Sequence, residues 1–132
     1  MFGTILSALA VGLALLFIGQ IHRENRVKLV ICLIRPEQLG EVVSALKKEK
    51  LVTGMTMMNV RGLGRQGIEE ETIRFLPKLK LEMLVRDADI ERAAGVISRA
   101  LQTGQIGDGK LFTLNVRAVM RIRTLERGIA GL

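Results

Sequence analysis

The residues of this 132-residue chain best suited to chemistry are Gly104-Gln105-Ile106-Gly107-Asp108-Gly109-Lys110, followed by Arg121-Ile122-Arg123. Glycine accepts positive φ and lets a ligand come close to the backbone. Successive backbone N–H groups in such a turn form an anion-binding concavity, and nearby Lys and Arg side chains add charge. That chemistry is phosphate binding, with Gly107, Asp108, Gly109, Lys110, Arg121 and Arg123 as the candidate ligand set. The competing reading is an ordinary tight turn after a helix.

Other stretches offer weaker chemistry. Arg61-Gly62-Leu63-Gly64-Arg65-Gln66-Gly67 is a second glycine-rich loop, with Glu69-Glu70-Glu71 in its continuation. Met55, Met57 and Met58 could offer thioethers to a soft metal such as copper, but core filling on a strand is the favoured reading. Lys47, Lys48 and Lys50 could form a nucleic-acid patch. With no Trp and no Tyr there is no stacking platform, so a solvated face is favoured and nucleic acid is not expected as a partner. Cys32 lies in an apolar run and reads as a small buried hydrophobe; a single cysteine makes no internal disulfide. The only histidine is His22, and no Cys/His cluster has metal-site spacing. No nucleophile–base pair is evident, so an enzyme is not expected. The formal charge of +7 admits anionic small molecules, nucleic acid or anionic lipid.

The elements that must position these residues begin after an uncharged stretch. Phe2 to Ile21 carries no charge, and His22, Arg23, Glu24, Arg26 and Lys28 follow it. Twenty helical residues span about 30 Å, a hydrocarbon core's thickness. We therefore expect a transmembrane anchor over 1–21, a linker over 22–26 and a folded domain over 27–132. Basic residues follow the apolar run and none precedes it. That predicts a single-pass protein on the cytoplasmic face of the membrane, with its N-terminus outside. A cleaved signal peptide would want a basic leader and a small-residue cleavage site, and a buried helix would want a polar face.

Within the domain, Val27–Ile34 reads as a buried strand and Pro36 suits a helix's first turn. Leu39, Val42, Val43 and Leu46 form a helical stripe. Gly54 to Val60 is a second strand, and Lys78–Val85 alternates with Leu79, Leu81, Met83 and Val85 on one face. Asp87 or Asp89 can cap the next helix, whose stripe is Ile90, Ala93, Ala94 and Ile97, and Gly104 falls where a C-terminal cap would sit. Leu111–Val116 and Val119–Arg123 complete the β pattern, placing Arg121 and Arg123 on one strand face. The helix stripe at 39, 42, 43 and 46 recurs at 90, 93, 94 and 97, each after a strand. The duplication predicts an α+β, ferredoxin-like βαββαβ sandwich preceded by a single N-terminal transmembrane helix.

Between residues 27 and 128 the sequence resembles the PII signal-transduction (nitrogen regulatory P-II) family. The matching segments, in family order, are Arg35-Pro36, Thr53-Gly54-Met55-Thr56, Arg61 to Gln66, Phe75 to Glu82, Thr103 to Phe112 and Arg121 to Thr124. The resemblance implies a homotrimer in which ATP and ADP compete for clefts between subunits, with Mg and 2-oxoglutarate as possible co-ligands. Gly107 to Lys110 would be the phosphate-cradling B-loop, and Gly62, Gly64 and Arg65 would belong to the base of the T-loop. Thr56 would lie near the adenine, and Arg121 and Arg123 would contact phosphate. The second wall of the cleft, with Arg65, would come from a neighbouring subunit. Gln66 and Lys78 match the 2-oxoglutarate and metal-site residues.

The chain departs from the family pattern at the loop that should read out the nucleotide. Only eight residues, 67–74, separate Gln66 from Phe75, and the absence of Tyr excludes tyrosine modification. The expected partner loop is Gly67, Ile68, Glu69, Glu70, Glu71, Thr72, Ile73 and Arg74. The expected function is a membrane-anchored sensor of adenine nucleotides. Through this short loop it would regulate a membrane transporter or a nitrogen- or carbon-metabolism protein. The rival functions are a slow ATPase or nucleotide-modifying enzyme, and a structural trimer with degenerate sites.

Overall fold

The structure is a computed structural model that describes residues 7–16, 26–64 and 73–132. Residues 7–16 form helix α1, whose leucines and Val11 are exposed. Among the described residues no helix is long and apolar enough to cross a membrane. This overturns the expected placement of a single-pass chain on the cytoplasmic membrane face. The remainder of the expected span, 1–6 and 17–21, and linker residues 22–25 lie outside the described residues.

Four strands follow: β1 (Val27–Ile34), β2 (Thr56–Gly62), β3 (Leu76–Arg86) and β4 (Lys110–Val116). Helix α2 (Leu39–Lys48) links the first pair and helix α3 (Ile90–Leu101) the second. The sheet order is β2-β3-β1-β4, antiparallel throughout. This is the expected βαββαβ α+β sandwich. Alternation built it as anticipated: Val30 pairs with Met83, Cys32 with Leu81 and Ile34 with Leu79. These side chains form the core with Val42 and Leu46 of α2 and Ala93, Val96, Ile97 and Leu101 of α3. The opposite face carries Leu29 beside Leu114 and Ile31 beside Phe112; Phe112 and Leu114 remain 43% and 46% exposed.

Several local expectations change. Strand β2 starts two residues later than anticipated. Of the three methionines near it, Met55 packs against the core while Met57 is exposed. Asp89 occupies the N-cap position of α3 but makes no side-chain cap hydrogen bond: Asp87 and Asp89 form a 3-10 turn, Asp87 pairs with Lys28 at 3.5 Å and Asp89 with Arg86 at 2.8 Å. Nearby cations took the carboxylates before the helix amides could. Helix α3 ends at Leu101 on an extended Gln102, so Gly104 is not its cap. Val119–Arg123 is no strand. Met120 makes a single bridge to Arg127, and the intervening residues turn. Its apolar alternation finds no strand to pair with along its length.

Candidate functional site

One end of the sheet gathers most of the candidate residues. Strand β1 ends at Ile34, β4 begins at Lys110 opposite Leu33, and β2 ends at Gly62 opposite Leu76. Arg35, Gly62, Gly64, Lys78 and the loop before β4 therefore emerge from this end. Lys78 lies against Gly62: a Cβ built on Gly62 would sit 3.3 Å from the Lys78 Cγ. Beyond Gly64, Arg65, Gln66, Gly67, Ile68, Glu69, Glu70, Glu71 and Thr72 lie outside the described residues, while Ile73 is exposed.

The loop is organised from within by Asp108. Its carboxylate accepts hydrogen bonds from the Thr103 amide (2.8 Å), the Gly104 amide (2.9 Å) and the Thr103 hydroxyl. Arg35 Nη2 approaches it at 3.6 Å. The Thr103 hydroxyl leads in holding Asp108 below the usual carboxylate range, followed by the Thr103 amide, with Gly104 and Arg35 adding smaller effects. Gly104, Gly107 and Gly109 all have positive φ, of 80°, 103° and 99°. At Gly109 the requirement is double, because a Cβ there would lie 1.9 Å from the Leu33 carbonyl oxygen. Glycine alone lets the loop turn hard against β1 and enter β4 in register.

Arg35 is the residue whose role sequence reasoning missed. It stands one position past β1, and its guanidinium lies beneath Gly107, 3.6 Å from where a Cβ would be. Its amide donates to the Gln38 side chain, and Gln38, the one buried polar residue among the described residues, donates to the Leu101 carbonyl at the end of α3. The sequence signals were its place between an apolar strand and Pro36 and the match of Arg35-Pro36 to the family pattern, neither of which tied it to the loop. The site end thus presents Arg35, Lys78 and Lys110, with Asp108 committed to its own loop. That donor set fits phosphate or carboxylate groups. It offers a divalent cation no free carboxylate among the described residues, so a magnesium ion would have to be carried by a ligand's phosphates.

The structure does not bring Arg121 and Arg123 to this loop. Strand β4 runs from Lys110 to Val116 and carries the chain roughly 20 Å away. Past it, Arg121 donates from its backbone to the Glu126 carbonyl and from its guanidinium to the Leu132 carbonyl; Nη1 also lies 3.6 Å from Glu126. Leu132 in turn lines a cleft of about 480 Å³ with Leu29, Thr53, Thr56, Glu82 and Leu84. Thr56 sits on β2, at the sheet edge opposite β4, and roughly 14 Å separates those two edges. The candidate residues therefore fall into two groups. The glycine loop, Gly62, Gly64 and Lys78 share one end; Thr56 and the C-terminal arginines lie away from it. Arg65, the expected contribution of a neighbouring subunit, lies outside the described residues.

Comparison with known proteins is consistent along this whole region. The family model described as nitrogen regulatory protein P-II matches residues 27–126. The chain is 42% identical over 112 residues to nitrogen regulatory protein P-II of Bradyrhizobium diazoefficiens, covering 80% of this chain and 99% of that protein. It is 45% identical over 108 residues to nitrogen regulatory protein P-II 2 of Methanothermobacter thermautotrophicus, covering 76% and 93% respectively. Among solved structures it resembles Arabidopsis thaliana PII bound to citrate, with a TM-score of 0.71 and 35% identity over 82% of this chain and 94% of that one.

Proposed function

The chain belongs to the nitrogen regulatory protein P-II family, and from that premise we propose that it senses ATP and ADP in clefts between the subunits of a homotrimer. The family is one of signalling regulators, which sets the enzyme readings aside as rivals. The observation that carries the proposal is the Asp108-tied loop. Its backbone is held by the Asp108 carboxylate, and it stands beside Lys110 and Arg35 with three positive-φ glycines. A preorganised donor array loses little entropy when it closes on phosphate.

The division of the candidate residues into two groups favours a site between subunits. One wall is the glycine loop with Gly62, Gly64 and Lys78. The other is a neighbour's Thr56, Arg121 and Arg123. The cleft beside Thr56, with Leu29 and Leu84, would take the adenine ring, and the loop the phosphates. Lys78, with Gln66, would hold the carboxylate of a second ligand such as 2-oxoglutarate, with Mg bound through the nucleotide. The exposed Phe112 and Leu114 on the sheet face away from the helices are the apolar surface a trimer would bury.

The readout is the segment 64–76 with its acidic Glu69, Glu70 and Glu71. Nucleotide shifts this loop only by binding one loop state better than another. The regulated target would be a transporter or a protein of nitrogen or carbon metabolism. Calorimetry of the full chain with ATP, ADP and AMP, with and without magnesium and 2-oxoglutarate, tests the reading. Saturable binding of ATP and ADP supports it, and no heat at millimolar nucleotide overturns it.

A further inference from the structure

A second basic cleft lies beyond the far end of β4, away from the glycine loop. It has a volume of about 760 Å³ and is lined by Arg26, Arg117 and Arg127 over a floor that includes Val27, Val116 and Met120. Its walls are tied together: the Gly128 amide donates to the Val119 carbonyl at 3.0 Å, and Met120 bridges Arg127. The three arginines differ from the other cations around them. Lys28 pairs with Asp87, Arg86 with Asp89 and Arg121 with Glu126, whereas Arg26, Arg117 and Arg127 have no carboxylate partner among the described residues. Three uncompensated guanidinium groups on one cavity repel each other, and an anion between them would remove that cost.

We propose that this cleft is a binding site for a small phosphate-bearing molecule with an apolar body. Planar guanidinium groups match phosphate oxygens in pairs. The volume falls within the ~300–1,000 Å³ of small-ligand sites, and the Val27, Val116 and Met120 floor gives an apolar moiety somewhere to rest. The clustering of the three arginines on one cleft favours a discrete molecule over a polymer, which would want an extended basic stripe. None of these arginines belongs to the nucleotide walls assigned above, so the two sites are separable by mutation.

The test uses the full-length chain carrying Lys110→Gln to weaken the glycine-loop site. Calorimetry with inorganic pyrophosphate and with phenyl phosphate reads the second cleft. Binding that survives Lys110→Gln and falls at least about tenfold in Arg117→Gln and in Arg127→Gln is expected, with phenyl phosphate gaining from the floor. ATP affinity of Arg117→Gln and Arg127→Gln in the otherwise wild-type chain should be unchanged. Because both side chains are exposed, the variants should keep the wild-type circular dichroism spectrum and oligomer size. Affinity unchanged in both arginine variants overturns the proposal, as does a parallel loss of ATP binding, which would merge this cleft with the first site. So does the absence of binding to either probe at about 10 mM, including where anionic vesicles or an oligonucleotide bind through Arg117 instead.

Discussion

Asp108 and Gly109 show how much of the loop depends on single atoms. Asp108 is acceptor to three donors of Thr103 and Gly104, so Asp108→Ala should free those amides and raise their hydrogen exchange while the sheet stays protected. The pH dependence has a definite sign. Its folded pKa is depressed, so the stabilisation it supplies is fully present above the unfolded value of ~3.9 and is lost as pH falls through the lower folded value. The Thr103 and Gly104 amide resonances should therefore stay constant from neutral pH to about 5 and shift only in stronger acid. A transition near pH 6 would show that another group holds the loop. Gly109→Ala must place a methyl where the Leu33 carbonyl oxygen stands and adopt a positive φ besides. The strain alone costs on the order of 1–3 kcal/mol. A lowered melting temperature and nucleotide affinity weakened at least about tenfold are expected together. Cys32 is inert by the same kind of local cause: burial pushes its thiol up to about 11, so labelling at pH 8 should require unfolding.

At the scale of elements, legibility followed burial. Strand β3 could be read from Leu79, Leu81, Met83 and Val85 because a sheet with one covered face writes period two into its sequence. The α2 and α3 stripes were legible for the same reason, and Leu81, fully buried at the centre, should cost about 2–5 kcal/mol when cut to Ala in a urea melt. Where burial stops, the pattern misleads. Val119-Met120-Arg121-Ile122-Arg123 alternates like a strand, yet Ile122 is 85% exposed and the chain turns. Leu125 there holds φ 61°, its amide bound to the Arg121 carbonyl, and Arg121 binds the Leu132 carbonyl. Nothing in the residue types announced those backbone closures. The loop before β4 was legible through its glycines and lysine, but the Arg35–Asp108 approach joins positions far apart in sequence. Only the β1–β4 register, with Leu33 beside Lys110, puts them side by side.

For the whole molecule, the separation of the candidate residues becomes a demand on assembly. If each cleft takes its glycine loop from one subunit and its Thr56, Arg121 and Arg123 from the next, the contact is head-to-tail and three copies close a ring. Two variants then fail for different reasons: Lys110→Gln spoils every loop wall, and Arg123→Gln spoils every opposing wall. Each homotrimer alone should bind ATP weakly. When the two are unfolded together in equal amounts and refolded, about a quarter of the clefts should draw both walls from intact partners and recover wild-type affinity. Sites built within one subunit would recover none, because no single chain would carry both intact residues. The same geometry predicts that Phe112→Glu, which puts a charge on the exposed sheet face, lowers the oligomer size in ultracentrifugation and weakens ATP binding in step, though Phe112 lines neither wall. A monomeric Phe112→Glu chain with full ATP affinity would place both walls in one subunit and refute the ring.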